Sequence, residues 1–291
     1  MASTQQLKRR IGSVKNTKQI TKAMELVAAS KMRKATEAAH RGRAYRQSAH
    51  SMLARLNKVT EINEHPLYKK RPVDQRLYIV ITSNRGLAGA YNSNVIKSLA
   101  GSIASDKKQK IKSSVIVIGK RGAQFLNRVE DIDIVAVYDD FSDKPTANDI
   151  RPILNTIIDK YTAKLVDEVC IIFTEHKSNI LQTVDNLTVL PASYETDPDE
   201  SEGPSLSDVT FEPSVNDVLE NVTERLLEVQ IWQALLESIA SEQSMRMLSM
   251  KNATDNATEI IDDLTLEFNT ARQAKITQEL AEITGGAEAI K

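Results

Sequence analysis

The 291-residue chain is poor in the residues that staple, break or stiffen a fold: it has one cysteine, eight prolines, ten glycines and one tryptophan. A single cysteine excludes an internal disulfide framework and any multi-cysteine metal site. Aromatic residues make up only 4% of the chain, little for an ordinary globular core, and point to an elongated helical body. No apolar run approaches the ~18 residues that span a bilayer. The four histidines, His40, His50, His65 and His176, are scattered, and none sits at metal-binding spacing from a carboxylate motif. No nucleophile elbow and no Cys-His pairing occurs. These absences argue against a disulfide-rich secreted domain, a membrane-spanning protein and a disordered chain. They leave no candidate catalytic residue, metal site or cofactor site.

Charge is present in both signs but unevenly placed. Residues 1–60 hold 14 Lys and Arg against two acids, Glu25 and Glu37. Residues 214–291 hold six basic against 14 acidic groups, and residues 192–213 hold seven acids and no base. A total of −1 therefore conceals a basic head, a near-neutral middle and an acidic tail. One reading is mutual attraction of the two ends. Another is a pair of solvated helix faces, and a third is nucleic-acid binding by the basic head.

Breakers are missing where the helical signal is strongest. The first proline is Pro66, and only Gly12 and Gly42 interrupt residues 1–65. Leu7, Ile11, Val14, Thr21, Ala28, Met32, Ala35, Ala39, Ala49, Leu53 and Leu56 fall on one 3–4 spaced series, the seam of a coiled coil. Lys18, Glu25, Gly42 and Arg46 interrupt it, and Ile20, Met24 and Val27 form a second apolar stripe. From 214 to 284 there is neither glycine nor proline. Ser214 is the expected N-cap, and Gly285-Gly286 the expected stop. Here the series runs Leu219, Val222, Leu226, Val229, Gln233, Leu236, Ala240, Gln243, Met247, Met250, Thr254, Ala257, Ile261, Leu264, Phe268 and Ala271. Helices of about 50 and 70 residues would measure ~75 and ~105 Å. If they pair, they run antiparallel, with the neighbourhoods of Val27 and Leu264 brought close.

The middle alternates strand and helix patterns. Strands are expected at 77–82, 115–118, 132–138 and 168–174, with a weaker edge strand at 181–190. Helices are expected near 93–104, 121–127 and 147–165. The predicted class is α/β: a long antiparallel coiled coil of N- and C-terminal helices plus a small central Rossmann-like domain. Its divisions are 1–65, 75–192, an acidic surface loop at 193–213, and 214–291. Asn84-Arg85-Gly86-Leu87-Ala88-Gly89 and Gly119-Lys120-Arg121-Gly122 match neither a dinucleotide fingerprint nor a P-loop. Their glycines are read as tight turns, and the chain alone is not expected to bind or hydrolyse ATP. A Rossmann-type nucleotide enzyme rests on the alternation alone. Cys170 is read as a packed core thiol and Trp232 as a packing residue.

Four segments carry a more specific signal. Ile20-Thr21-Lys22-Ala23-Met24-Glu25-Leu26-Val27-Ala28-Ala29-Ser30-Lys31-Met32-Arg33-Lys34 resembles the N-terminal signature of the gamma subunit of F-type ATP synthases. The stretches 240–247 (ASEQSMRM) and 250–257 (MKNATDNA) resemble its C-terminal counterpart, and 272–283 (RQAKITQELAEI) the stretch by which the family is usually recognised. Ser83-Asn84-Arg85-Gly86-Leu87-Ala88-Gly89 resembles the family's central segment, with Asn84, Ala88 and Ala90 departing from its usual residues.

The resemblance implies a central-stalk rotor subunit without an active site of its own. Its terminal helices would fill the bore of a hexamer of alpha and beta subunits. Its central domain would meet the epsilon subunit and the c ring, and proton flow through the ring would turn it to drive ATP synthesis. Met24, Arg246, Arg272, Gln273, Thr277 and Glu279 match family positions linked to rotor–stator contact and coupling; Arg33 and Lys22 are weaker matches, since an exposed charge there also reads as a solvated face. No cofactor, metal or nucleic acid is implied. Membrane association would be indirect, through the c ring. The N-terminal motif begins too near Met1 for a mitochondrial presequence, and a lone cysteine does not fit the two-cysteine redox switch of chloroplast members. The expected setting is the cytoplasmic side of a bacterial plasma membrane.

Overall fold

The computed structural model describes residues 3–56, 65–129, 132–139, 141, 145–178, 181–192 and 214–288. The acidic stretch 193–213 lies outside them, as do the side chains of Ala49, Leu53 and Leu56. In chain order the elements are α1 (Thr4–Leu56), β1 (Gln75–Ile81), α2 (Tyr91–Gln109), β2 (Lys112–Ile118), α3 (Lys120–Leu126), β3 (Asp133–Tyr138), α4 (Ala147–Thr162), β4 (Glu168–His176), β5 (Gln182–Leu190) and α5 (Val215–Glu288). Contacts divide the chain into two compact units: residues 1–28 with 246–291, and residues 29–245.

The larger unit is built on a five-stranded sheet of order β3-β2-β1-β4-β5. The first four strands are parallel and β5 is an antiparallel edge. Strands covered on both faces read as continuous apolar runs rather than alternating ones. In β1, Leu77, Ile79 and Ile81 point to one core with Ile153 and Ile157 of α4 and Leu227 and Ile231 of α5. Tyr78 and Val80 point to the opposite core with Val95 and Leu99 of α2. Cys170 is a free, buried thiol in that second core, and burial pushes its pKa up to about 11.

At the amino end of the sheet a buried carboxylate is fully engaged. Asp106 of α2, 1% exposed, accepts from the Tyr78 hydroxyl at 2.7 Å and the Ser113 hydroxyl at 2.9 Å. Arg76 bridges Asp106 and Glu168. A buried ion survives only when its lone pairs are met in this way. Burial, and then the hydrogen bond to Asp106, raise the Tyr78 pKa.

Most expected elements are present with shifted ends. Helix α2 runs a turn further than expected, because its polar last turns hide the buried Asp106; it closes on Lys110 in the left-handed region at φ 61°. Gly285-Gly286 do not stop α5, which continues to Glu288. Two exposed glycines weaken a helix by about 1 kcal/mol each but do not interrupt its hydrogen bonds. Ser214 caps α5, its hydroxyl accepting from the Asp217 amide at 3.1 Å. Trp232 packs on the α4–α5 core and donates from Nε1 to the Pro145 carbonyl at 3.3 Å.

The turn after β2 depends on glycine. Gly119 has φ 101°, and a Cβ there would lie 2.2 Å from the Thr82 carbonyl oxygen. Gly119→Ala should therefore cost roughly 2–4 kcal/mol. Gly101, inside α2 with open space around it, should gain about 0.5–1 kcal/mol as alanine. Denaturant midpoints of the two variants should move in opposite directions. In the same experiment at pH 8, Cys170 should resist a disulfide-exchange reagent until the chain unfolds, since a thiol titrating near 11 is thiolate about one time in a thousand.

Candidate functional site

In the unit formed by residues 1–28 and 246–291, the two long helices meet along the seam read from the sequence. Leu7 and Ala28 of α1 are buried, and Ile11, Val14 and Thr21 are half-buried. Lys18 and Glu25, which interrupt the apolar series, also lie half-buried in line with it. On α5, Met250, Thr254 and Ala257 are buried, and Ile261, Leu264, Phe268 and Ala271 half-buried. The Thr21 and Thr254 hydroxyls meet at 2.8 Å. Counted from that bond in antiparallel register, Thr4, the first residue of α1, falls level with Ala271. Every described α5 residue from Arg272 onward is exposed. Burial on α5 therefore ends where α1 runs out, which fixes the antiparallel sense. The register departs from expectation in one respect: Leu264 falls level with Ile11, not with Val27.

Small seam residues set the spacing. Ala28, Thr21, Thr254 and Ala257 allow close approach of two backbones, where leucine would hold them apart. Thr254 also donates to the Met250 carbonyl at 2.8 Å, so its hydroxyl is satisfied inside the seam.

The sequence-predicted residues fall into distinct environments. Met24 is half-buried and Arg246 is 7% exposed, both in the paired part. Arg33 is exposed on the part of α1 that belongs to the larger unit. Lys22 is exposed and pairs with Glu25 of its own helix at 3.0 Å. Arg272, Gln273, Thr277 and Glu279 are brought together on the bare segment of α5. There Thr277 donates to the Gln273 carbonyl at 3.0 Å, and Lys275 pairs with Glu279 at 3.7 Å. Exposed pairs of this kind are worth about 0–1 kcal/mol and leave both groups available to a partner.

Sequence reasoning found one stripe of the apolar outer surface, Ile20, Met24 and Val27, and missed the rest. Leu26, Val27, Leu248, Ile260 and Leu266 are exposed, Leu266 at 70%. On the bare helix Ile276, Leu280 and Ile283 form a stripe at i, i+4 and i+7. Apolar side chains mark contact with other macromolecules where they form a contiguous patch. The signal was present as apolar residues standing off the seam series.

The loop after β1 is internally bonded. The Ser83 amide donates to Asn92 Oδ1 at 3.0 Å, Lys120 N–H to Asn84 Oδ1 at 3.1 Å, and Arg121 N–H to the Ser83 carbonyl at 3.0 Å. Gly122 N–H donates to the Thr82 hydroxyl at 2.9 Å. These four amides serve the turns after β1 and β2.

A family profile described as ATP synthase matches residues 3–290. The chain is 37% identical to the ATP synthase gamma chain of Psychrobacter cryohalolentis and 38% identical to that of Staphylococcus aureus, each over 293 aligned positions covering 100% of both chains. The chain belongs to the ATP synthase gamma chain family. Among solved structures, its fold is similar to a chain of the Euglena gracilis mitochondrial ATP synthase, with TM-score 0.66 and 17% identity over 99% of this chain and 94% of that one. It is likewise similar to a chain of the Tetrahymena thermophila mitochondrial ATP synthase central stalk and c ring, with TM-score 0.60 and 23% identity over 80% of this chain and 99% of that one.

The seam of this gamma-family chain is testable at Phe268, which falls level with the fully buried Leu7. Phe268→Asp sets a carboxylate into that contact and should cost roughly 2–3 kcal/mol. Helical circular dichroism should melt at lower temperature. Leu266→Asp, on the exposed side of the same turn, should leave the melt unchanged.

Proposed function

We propose that this chain is the central-stalk rotor subunit of an ATP synthase. It passes rotation of the c ring to the catalytic beta subunits, so that proton flow drives ATP synthesis, and it contributes no active site of its own. The observation that carries this reading is the antiparallel seam between the first and last helices, in a chain related along its whole length to ATP synthase gamma chains. Two helices wound on a common seam resist twisting better than one. The hydroxyls, alanines and methionines along it keep the pair slim.

The alpha and beta subunits are the partners of the exposed apolar surface and of the bare helix. Met24 and Arg246 lie where the pair would meet the catalytic subunits. Arg272, Gln273, Thr277 and Glu279 offer charge and hydrogen bonding beside an apolar stripe, the mixture expected of a contact that forms and breaks as the rotor turns. Arg33 supplies a further cation. The central domain, residues 75–192, is the body that the epsilon subunit and c ring hold, and 1–65 and 214–291 are the segments that turn inside the head. No helix among the described residues is long and apolar enough to cross a membrane. Attachment is then through the c ring, on the cytoplasmic side of a bacterial plasma membrane.

Reconstitution tests the reading. Mixed with bacterial alpha and beta subunits, the chain should co-purify with them and raise their ATP hydrolysis at least tenfold over the mixture without it. A chain that neither co-purifies nor stimulates overturns the assignment. Replacing Arg272, Gln273, Thr277 and Glu279 together by alanine should lower that stimulation several-fold while leaving the helical melt of the free chain unchanged.

A further inference from the structure

Three buried serines of α5 stand apart from the seam series. Ser238, Ser241 and Ser244 recur at every third position, and each is 0% exposed. The Ser238 hydroxyl accepts from the Thr174 backbone N–H at 3.2 Å, and the Ser241 hydroxyl donates to the Thr174 carbonyl at 3.1 Å. Ser244 accepts from the Gln182 side-chain amide at 3.1 Å. All five residues belong to the unit 29–245.

The strand pattern explains why the helix is needed there. β1 pairs with β4 only as far as Ile172, so β4 extends past its parallel neighbour. Thr174 lies in that extension, is 1% exposed, and takes both backbone hydrogen bonds from one helix. Strand-end groups buried in this way must find a partner. Here α5 stands in for a missing length of strand.

Apolar packing lets a helix roll between neighbouring ridge-and-groove settings. Hydrogen bonds are directional and costly to leave unmade in a buried site. Two bonds to a single residue, with a third one turn along, define one rotational setting of α5 about its own axis. We propose that Ser238, Ser241 and Ser244 are positioning residues that lock α5 to the carboxyl end of β4 and the start of β5, so that torque passes between sheet and helix without helix roll. The proposal rests on the reading of the chain as a rotor subunit.

The test compares the wild-type chain, Ser238→Ala/Ser241→Ala/Ser244→Ala, Ser241→Ala alone and Ser241→Thr. Each is reconstituted into a complete ATP synthase in vesicles, and protons pumped per ATP hydrolysed are measured. The triple variant should hydrolyse ATP within about twofold of wild type but pump at least about threefold fewer protons per ATP. Ser241→Thr keeps the hydroxyl and should pump as wild type. In the free full-length chain, exchange of the Thr174 amide hydrogen should quicken roughly tenfold or more in the triple variant. If the triple variant does not assemble, Ser241→Ala is held to the same criteria. Wild-type pumping ratios in the variants, or unchanged Thr174 exchange, overturn the clamp. A wild-type chain that supports no pumping overturns the rotor reading instead, and Thr174 exchange still reports whether the serines hold the helix.

Discussion

A helix of 74 residues passes through more than one environment, and the rest of the structure follows from how α5 meets each. Between Leu226 and Ser241 nearly every residue is buried, which requires an element apolar or satisfied on all sides. That stretch does contain Glu228, Gln233, Glu237 and serines, and most of their polar atoms are bonded: Gln233 Nε2 donates to Glu237 Oε1 at 2.7 Å and Arg225 pairs with Glu228, while Glu228 Oε1 and Gln233 Oε1 are buried without a hydrogen-bond partner. From Met250 to Ala271 only one stripe is covered, by α1. From Arg272 none is. The composition changes in step, from aliphatic, to Met, Thr and Ala on a single face, to Arg, Gln, Thr and Glu around an apolar stripe.

Close approach matters more here than charge. The ion pairs Lys22–Glu25 and Lys275–Glu279 each lie within one helix, so they add little to pairing. Any attraction between the opposite net charges of the two terminal segments acts at long range and is screened by salt. What holds the helices at short range is contact between small seam residues. The same rule applies in the larger unit, where a Cβ on Gly42 of α1 would sit 2.7 Å from Gln233 Oε1 and 3.0 Å from the Trp232 ring. Gly42, which looks like an interruption of the heptad series, is the residue that lets α1 lie against α5.

The long elements were legible in the sequence because nothing competed with them: breakers are absent for tens of residues, and the 3–4 series survives Lys18, Glu25 and Gly42. The strands were legible because β1, β2 and β4 are covered on both faces over most of their length and read as apolar runs rich in Val and Ile. The end of α5 was not legible, because glycine signals a stop by propensity and an exposed helix tolerates that penalty. The pairing register was not legible either. A heptad series fixes which face is buried but not the offset between partners, and only the Thr21–Thr254 contact and the loss of burial after Ala271 supply it. Of the candidate residues, those on the bare helix were found by resemblance. The second stripe of Ile20, Met24 and Val27 was seen, but the exposed Leu26, Leu248, Ile260 and Leu266 were passed over because a heptad count rewards residues on the seam.

The central domain shows how a parallel sheet can use the carboxyl ends of its own strands. Parallel α/β sheets place ligand sites beyond the carboxyl ends of their strands, where loops expose unpaired amides. At the end of β1 and β2 those positions are occupied by the chain itself, with Asn84, Ser83, Asn92 and Thr82 accepting the hydrogen bonds that a phosphate would otherwise take. At the end of β4 the helix α5 fills the gap with serine hydroxyls. Polar groups at these strand ends are bonded within the chain. The gain is a sheet whose carboxyl edge is bonded to its own turn on one side and to the longest helix of the chain on the other. A fold does not dictate a function. This one bonds the carboxyl ends of its strands to its own turns and to α5.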